Sequence, residues 1–350
     1  MLPLVLFAAA CGDDDDDDEA TAGDDTTETT AADEGDGESS DVKVGLVYDL
    51  GGRGDQSFND SAAAGLDRAK EDFGVEAEEL EPDEGGENRE ELMRLLGDEG
   101  TNLIFGVGFL FTDSITAAAP DYPETTFAII DSFVDAPNVA SLGFAEHEGS
   151  FLMGAAAALK SETGHIGFIG GVEVDLIKKF EAGYKAGAAH INPDITVDVT
   201  YITQPPDFAG FNDPARAKEI ATGMYGAGAD VVYHAAGGSG GGLFEAAKEA
   251  SESGGSQVWA IGVDSDQYNL VDASLQPYIL TSMLKKVEVA VYDTIERAVN
   301  GEDVAGATTY DLASGGVDYA TSGGFVDDIA DQLDELKQQI IDGEIEVPEK

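Results

Sequence analysis

Two loops in this 350-residue chain carry residue types that could do chemistry. Gly237-Gly238-Ser239-Gly240-Gly241 fits the GxSxG pattern of a nucleophile elbow, where a sharp strand-to-helix turn exposes a serine hydroxyl. On that fold the histidine base follows the serine in chain order, yet the last of the four histidines is His234. With no base downstream to take its proton, Ser239 is not expected to act as a nucleophile. The glycines suit a ligand that approaches bare backbone, or a plain turn. The second loop, Gly51-Gly52-Arg53-Gly54-Asp55-Gln56-Ser57, sits where a dinucleotide loop would. Ser57 occupies the place of its third glycine, and Asp49 and Asp55 would put negative charge beside a pyrophosphate. No dinucleotide, and no cofactor of any kind, is expected. His147, His165, His190 and His234 have neither HxxxH nor HExxH spacing, and Cys11 is the single cysteine, so a Cys/His zinc site is not expected either.

What remains is a recurrence of acids and glycines directly after apolar runs. Asp49 follows VGLVY, Asp131 follows FAII, Gly237 and Gly238 follow VVYHAA, and Asp264 follows WAIGV. A single Asp in such a place is equally well explained as a helix cap or turn former. Four separate strand ends of this kind point instead to a shared ligand cleft, because open parallel sheets bind ligands outside the carboxyl ends of their strands.

The elements that must position these residues read as alternating strands and helices. VKVGLVYDL is a β-branched apolar run, and residues 58–73 then place Phe58, Ala62, Leu66, Ala69 and Phe73 on one helical face. The cycle repeats through TNLIFGVG, TTFAIID, HIGFIGG, ITVDVTYI, DVVYHAA, QVWAIGVD and YILTSML, with helices expected near 112–119, 147–160, 174–190, 213–226, 242–253, 285–299 and 327–342. Buried strands separated by amphipathic helices imply an α/β fold with parallel sheets and right-handed crossovers. About ten strands in one chain of this length divide better into two lobes than one, and the pattern breaks near residues 143–164. The expected N-terminal lobe is 42–143 plus 266–305, and the C-terminal lobe is 144–265 plus 306–350.

Acids outnumber bases 71 to 18, a formal net charge of -53, and 15 of the acids lie in residues 1–41, which hold no Lys or Arg. The remainder is still strongly negative and repels phosphate backbones, so nucleic acid is not an expected partner. An acidic folded surface of this kind suits a saline or otherwise unusual environment. Residues 1–10, MLPLVLFAAA, form an apolar stretch too short to span a bilayer but fit for the h-region of a signal peptide. Ala8-Ala9-Ala10-Cys11 resembles a bacterial lipobox, with Ala8 where Leu is usual and no basic residue before the apolar run. An upstream start is expected from the second departure, and Cys11 is the expected lipidation site. Residues 12–41 are acidic, of low complexity and nearly free of apolar side chains, and are expected to be a disordered spacer reaching about 30 Å or more from the membrane.

The segment VGLVYDLGGRGDQSFNDSAAAGLDRA resembles the basic membrane protein family, also called purine nucleoside receptor A-like lipoproteins. The likeness rests on Asp55, Ser57, Phe58, Asn59 and Gly65 and continues through FAIIDSF, NVASLGFAEHEGSFLMGAAAA, IGFIGG, FEAGYKAG, AAGGSGGG, WAIGVDSDQ and ILTSMLKKVEVAVY. It spans roughly residues 42–325. The resemblance implies a type I periplasmic-binding-protein fold, two Rossmann-like lobes joined by hinge crossovers. It implies a binding protein, not an enzyme, that delivers its ligand to an ABC permease and ATPase. By the same resemblance Phe58 would stack on a purine, Asn59 would line that wall and Asp131 would accept hydrogen bonds from the base edge. Asp49 and Asp264 would bind ribose hydroxyls, helped by Lys285 and by the backbone at Gly237 and Gly238. Phe180, Tyr233 and His234 are candidates for a second stacking ring. The expected protein is a monomer tethered to the extracytoplasmic face of the cell membrane, with guanosine, inosine or adenosine as ligand. Open alternatives are the same fold with a sugar, an autoinducer or another nucleoside-like ligand, a sensor without transport, or a nucleoside-processing enzyme.

Overall fold

The computed structural model describes residues 40–350 apart from residue 84. The expected signal peptide, Cys11 and nearly all of the 12–41 spacer lie outside the described residues.

Two six-stranded sheets carry the fold. The first sheet contains β1 (Lys43–Val47), β2 (Glu76–Leu80), β3 (Leu103–Gly106), β4 (Thr126–Ile130), β5 (Val139–Phe144) and β11 (Gly306–Tyr310), in the spatial order β11-β5-β4-β3-β1-β2 and parallel throughout. The second contains β6 (His165–Val172), β7 (Thr196–Thr203), β8 (Val231–Ala235), β9 (Trp259–Asp264), β10 (Ile279–Lys285) and β12 (Val317–Tyr319), ordered β12-β10-β9-β8-β6-β7. Only the β10–β12 pair is antiparallel. Alternation along β1 explains why helices cover both faces. Val44 and Leu46 pack with Leu66 and Ala69 of α1 (Phe58–Phe73), while Val47 joins Met93 and Leu96 of α2 (Arg89–Asp98) on the other face. The chain continues as α3 (Thr112–Ala118), α4 (Glu146–Lys160), α5 (Asp175–Ile191), α6 (Pro214–Gly226), α7 (Gly240–Gly254), α8 (Val287–Val299) and α9 (Ala330–Ile341). Among the described residues no helix is long and apolar enough to cross a membrane.

Two boundaries differ from expectation. Residues 266–285 are expected in the first lobe, yet β10 pairs in parallel with β9 in the second sheet. A connection without a full helix, residues 265–278, makes that crossover, and its absence of helical periodicity looks like a lobe boundary in the sequence. Residues 306–310 are expected in the second lobe, yet β11 pairs in parallel with β5 in the first. It returns there because α8, just before it, packs on α1, where Gly65 leaves room for the Glu288 backbone. The chain therefore passes between lobes at residues 144–146, 285–287 and 310–317. Strand β2, EAEEL, was not expected at all. It is an edge strand with exposed Glu76 and Glu78, so it needs only half of the apolar pattern of a buried strand.

Helices α4 and α5 cross at backbone distance because Gly154 and Gly187 have no side chains. A methyl group on Gly187 would run into the Phe151 carbonyl, and one on Gly154 into the Tyr184 carbonyl. Gly187→Ala is therefore expected to destabilise the protein by about 1–3 kcal/mol, read from urea denaturation. An unchanged midpoint would mean that the helices can part freely.

Candidate functional site

The carboxyl ends of β1, β3, β4, β8, β9 and β10 converge on one cavity between the lobes. Nine of the residues expected to touch ligand line it, while Tyr233 and His234 do not. Asp49, Phe58, Asn59 and Asp131 come from the first lobe, and Phe180, Gly237, Gly238, Asp264 and Lys285 come from the second.

Two of the acids are held by strained backbone. Asp131 (φ +67) and Asp264 (φ +65) both adopt the left-handed conformation directly after their strands. For a residue with a Cβ that conformation costs on the order of 1–3 kcal/mol, so the surrounding structure must impose it. Both residues line the cavity, where Asp131 pairs with the ammonium of Lys285 and Asp264 acts on it through its charge. Lys285 is 2% exposed, with Nζ 2.6 Å from Asp131 Oδ2 and 3.2 Å from Glu146 Oε1. Burial pulls this ammonium down, but Asp131, Glu146 and Asp264 together hold it above the ordinary lysine range. Asp131 Oδ1 is buried and has no hydrogen-bond partner, so one acceptor remains open beside the lysine. The Nζ also sits 5.2 Å from the Phe58 ring centre and 5.6 Å from that of Phe180, close enough for cation–π attraction.

The loop before α1 is built by its own side chains. Asp55 caps the helix, accepting from the Ser57 N–H at 2.9 Å and the Asn59 N–H at 2.9 Å. Asn59 Oδ1 accepts from the Asp49 N–H at 2.9 Å, and its amide donates to Asp55 Oδ2 at 3.0 Å and the Leu50 carbonyl at 3.3 Å. Its hydrogen-bonding groups are thus committed to shaping the wall. Arg89 pairs with Asp49 at 3.2 Å; burial pushes the Asp49 carboxyl up to about 6 against the pull of that guanidinium.

The same loop ties the lobes together. The Ser57 hydroxyl donates to Asp264 Oδ2 at 2.5 Å, the Ser265 hydroxyl donates to the Ser57 carbonyl at 3.2 Å, and the Gln267 amide donates to the Gln56 carbonyl at 2.9 Å. Beyond them, Phe109 of the first lobe meets Phe208 and Phe211 of the second edge-on, with ring centres 6.1 and 6.3 Å apart.

Of the three rings considered as a second stacking partner, only Phe180 faces the cavity. Tyr233 is enclosed by Phe168 and Tyr184, with its hydroxyl 3.2 Å from that of Ser150. His234 is buried against Phe244 and Gln267, and burial lowers its pKa to about 4. Phe109 and Phe211, overlooked in the sequence, line the cavity instead. The strand-end rule that picked out Asp131 would have found Phe109, two residues beyond the LIFGV run. Glu146 and Arg89 had no such signal, since acids are everywhere and one arginine at a helix start is ordinary. Ser239 is buried, its hydroxyl donating to the Gly210 carbonyl at 2.8 Å and accepting from the Asp213 N–H at 2.7 Å. That serine braces the loop. Among the described residues no cluster of His, Cys, Asp or Glu is arranged to hold a metal ion. The arrangement can grip a flat, polar-edged ligand between rings while carboxylates accept from its donors.

Comparison with known proteins bears on what that ligand is. The family described as ABC transporter substrate-binding protein PnrA-like matches residues 42–350. The ABC transporter nucleoside-binding protein BmpA of Lactococcus lactis is 38% identical over 328 residues, covering 89% of this chain and 90% of that one. An uncharacterized lipoprotein of Pyrococcus abyssi is 35% identical over 288 residues, 81% of this chain and 70% of that one. An ABC transporter system solute-binding protein from Aeropyrum pernix, solved by crystallography, has a TM-score of 0.77 at 31% identity, covering 88% and 94% of the two chains.

Burial raises the Asp264 carboxyl to about 7 despite Lys285 and Ser57. Between the usual Asp value and that figure the folded protein holds a proton that the unfolded chain has released, so this residue's contribution to stability falls as pH rises through the interval. Asp264→Asn is therefore expected to stabilise the ligand-free protein more at pH 8 than at pH 5 in denaturant titrations. Equal effects at both would show that the carboxyl titrates normally.

Proposed function

This chain belongs to the PnrA-like family of ABC transporter substrate-binding proteins, and on that premise we propose that it binds a purine nucleoside between its lobes. The observation that carries the proposal is the cavity wall itself. Aromatic rings from both lobes, Phe58 and Phe180, stand around Lys285, and the open Asp131 Oδ1 lies beside them. A purine is flat, polar at its edges and stackable on either face, and its N–H groups would complete the unpartnered carboxylate oxygen. Asp49 and Asp264 can accept from vicinal ribose hydroxyls, since an ionised carboxylate offers only acceptors. The backbone at Gly237 and Gly238 lets the sugar approach without a side chain in the way.

The mechanism is a binding equilibrium. Ligand contacts to both lobes favour the arrangement in which Ser57 meets Asp264 and Phe109 meets Phe211. A protein of this family is extracytoplasmic and works with an ABC permease and ATPase. Cys11 would carry the lipid that keeps it at the membrane, with the acidic spacer allowing reach. Resemblance to a named lipoprotein over most of the chain supports that anchoring.

Isothermal titration with guanosine, inosine, adenosine, cytidine and ribose tests the ligand class. Heat is expected with purine nucleosides, and none with any of them would defeat the proposal while leaving the fold intact. Phe58→Ala is expected to weaken nucleoside binding by about 1–3 kcal/mol. Asp264→Ala should weaken nucleosides more than free bases, whereas wild-type affinity in both variants would mean that the ligand sits elsewhere.

A further inference from the structure

We infer that Arg89 is a positioning residue for the cleft, holding Asp49 aimed and ionised so that it can accept the hydroxyls of a bound sugar; this rests on the nucleoside reading above. Arg89 itself does not line the cavity, yet its guanidinium is almost enclosed, with the two side chains of the pair 10% and 12% exposed. Nη2 lies 3.2 Å from Asp49 Oδ1, and Nη1 donates to the Gly86 carbonyl at 3.1 Å. The Phe111 ring backs the guanidinium at 5.4 Å.

Two glycines from separate elements make room for this pair. Gly86 (φ +69) lies in the loop before α2, and any side chain there would overlap the guanidinium. Gly108 (φ +108) follows β3, and a side chain there would overlap Asp49 Oδ2. The ion pair is therefore seated between two stretches of bare backbone, which fixes its direction. Asp49 Oδ1 is occupied by Arg89 and by the Leu50 N–H at 2.8 Å, and Oδ2 is left beside Gly108 at the cavity wall.

Every other charged group around Asp49 leaves this task to Arg89. Asn59 of α1, which holds the Asp49 N–H, is neutral. Asp131 at the end of β4 opposes ionisation of Asp49. Asp55 and Asp264 line the same cavity, and Glu81, Asp83 and Asp207 line the recess adjoining it. Lys285 is engaged by Asp131 and Glu146. Among the described residues Arg89 is the one cation in ion-pair contact with Asp49. Burial already brings this carboxyl to about 6 with the guanidinium in place. Removing an opposite charge at this range raises a carboxyl pKa by roughly 1–3, which would leave Asp49 largely protonated, and a poor acceptor, at neutral pH.

The test is adenosine affinity of the full chain, measured by calorimetry across about pH 5 to 9, for wild type, Arg89→Gln and Arg89→Lys. Asp264 titrates in all three, so the displacement between curves is what reports on Arg89. Arg89→Gln is expected to bind roughly tenfold more weakly at neutral pH and to recover as pH rises, while Arg89→Lys keeps the wild-type midpoint. A uniform loss of affinity with no displacement would overturn the inference, because it would mark a merely structural role. Carboxyl ¹³C resonances of ligand-free protein, with Asp49 assigned through Asp49→Asn, provide a readout that needs no ligand. The Asp49 midpoint should rise in Arg89→Gln, and an unmoved midpoint would refute the inference even if no nucleoside binds the wild type, an outcome that defeats the nucleoside reading by itself. If Arg89→Gln fails to fold, Gly86→Ala, which pushes the guanidinium off Asp49, should raise the midpoint in the same direction, and an unchanged one counts equally against the idea.

Discussion

A single ammonium group, Lys285 Nζ, sits where three carboxylates from different parts of the chain would otherwise repel one another. Asp131 ends a strand of the first sheet, Asp264 ends a strand of the second, and Glu146 opens the helix that follows the first crossover between lobes. Lys285 is itself the last residue before the second crossover. Burying any of these acids alone would cost several kcal/mol, and burying three beside one another would cost more. The lysine makes their approach tolerable, and in doing so it links both sheets and two of the three crossovers.

That network leaves the cavity electrostatically unfinished. Asp131 Oδ1, on the cavity wall, is buried without a hydrogen-bond partner. Buried acceptors in that state are costly, and a ligand with donors at its edge recovers part of the cost. Phe58 and Phe180 line the same cavity beside Lys285 and add apolar surface to that polar corner. The lobes meet through the buried Lys285–Asp131 ion pair, the short Ser57–Asp264 contact, three side-chain bonds to loop carbonyls and the edge-on packing of Phe109 against Phe208 and Phe211. Opening the lobes breaks these contacts, and a ligand that touches both lobes favours the closed arrangement, as a transport receptor requires.

The negative charge of the chain operates on a different scale from that of its cavity. Among the described residues, exposed acids that pair at all pair loosely, as with Lys218 between Glu245 and Glu249 on exposed helix surface, where such pairs contribute little. The acids that shape the cleft are those removed from water, and each of them has a specific neighbour: Arg89 for Asp49, Lys285 for Asp131, and Ser57 for Asp264.

The sequence by itself determined the α/β class, the first helix at Phe58–Phe73 and the position of the strand ends, because these follow from local periodicity and from glycines and acids that interrupt it. It also marked Asp49, Asp131, Gly237, Gly238 and Asp264, since a strand end in a parallel sheet is a local feature with a predictable location. Only the tertiary structure decided that β10 stays with the second sheet while β11 returns to the first, since strand pairing depends on contacts between residues far apart in the chain. Only it separated Phe180, which faces the cavity, from Tyr233 and His234, which are enclosed, and brought in Glu146, Arg89 and Phe211. The physical reason is common to all of these. Whether a side chain is buried, paired or open is set by what the rest of the fold places opposite it, and neither its own type nor its neighbours in sequence carry that information.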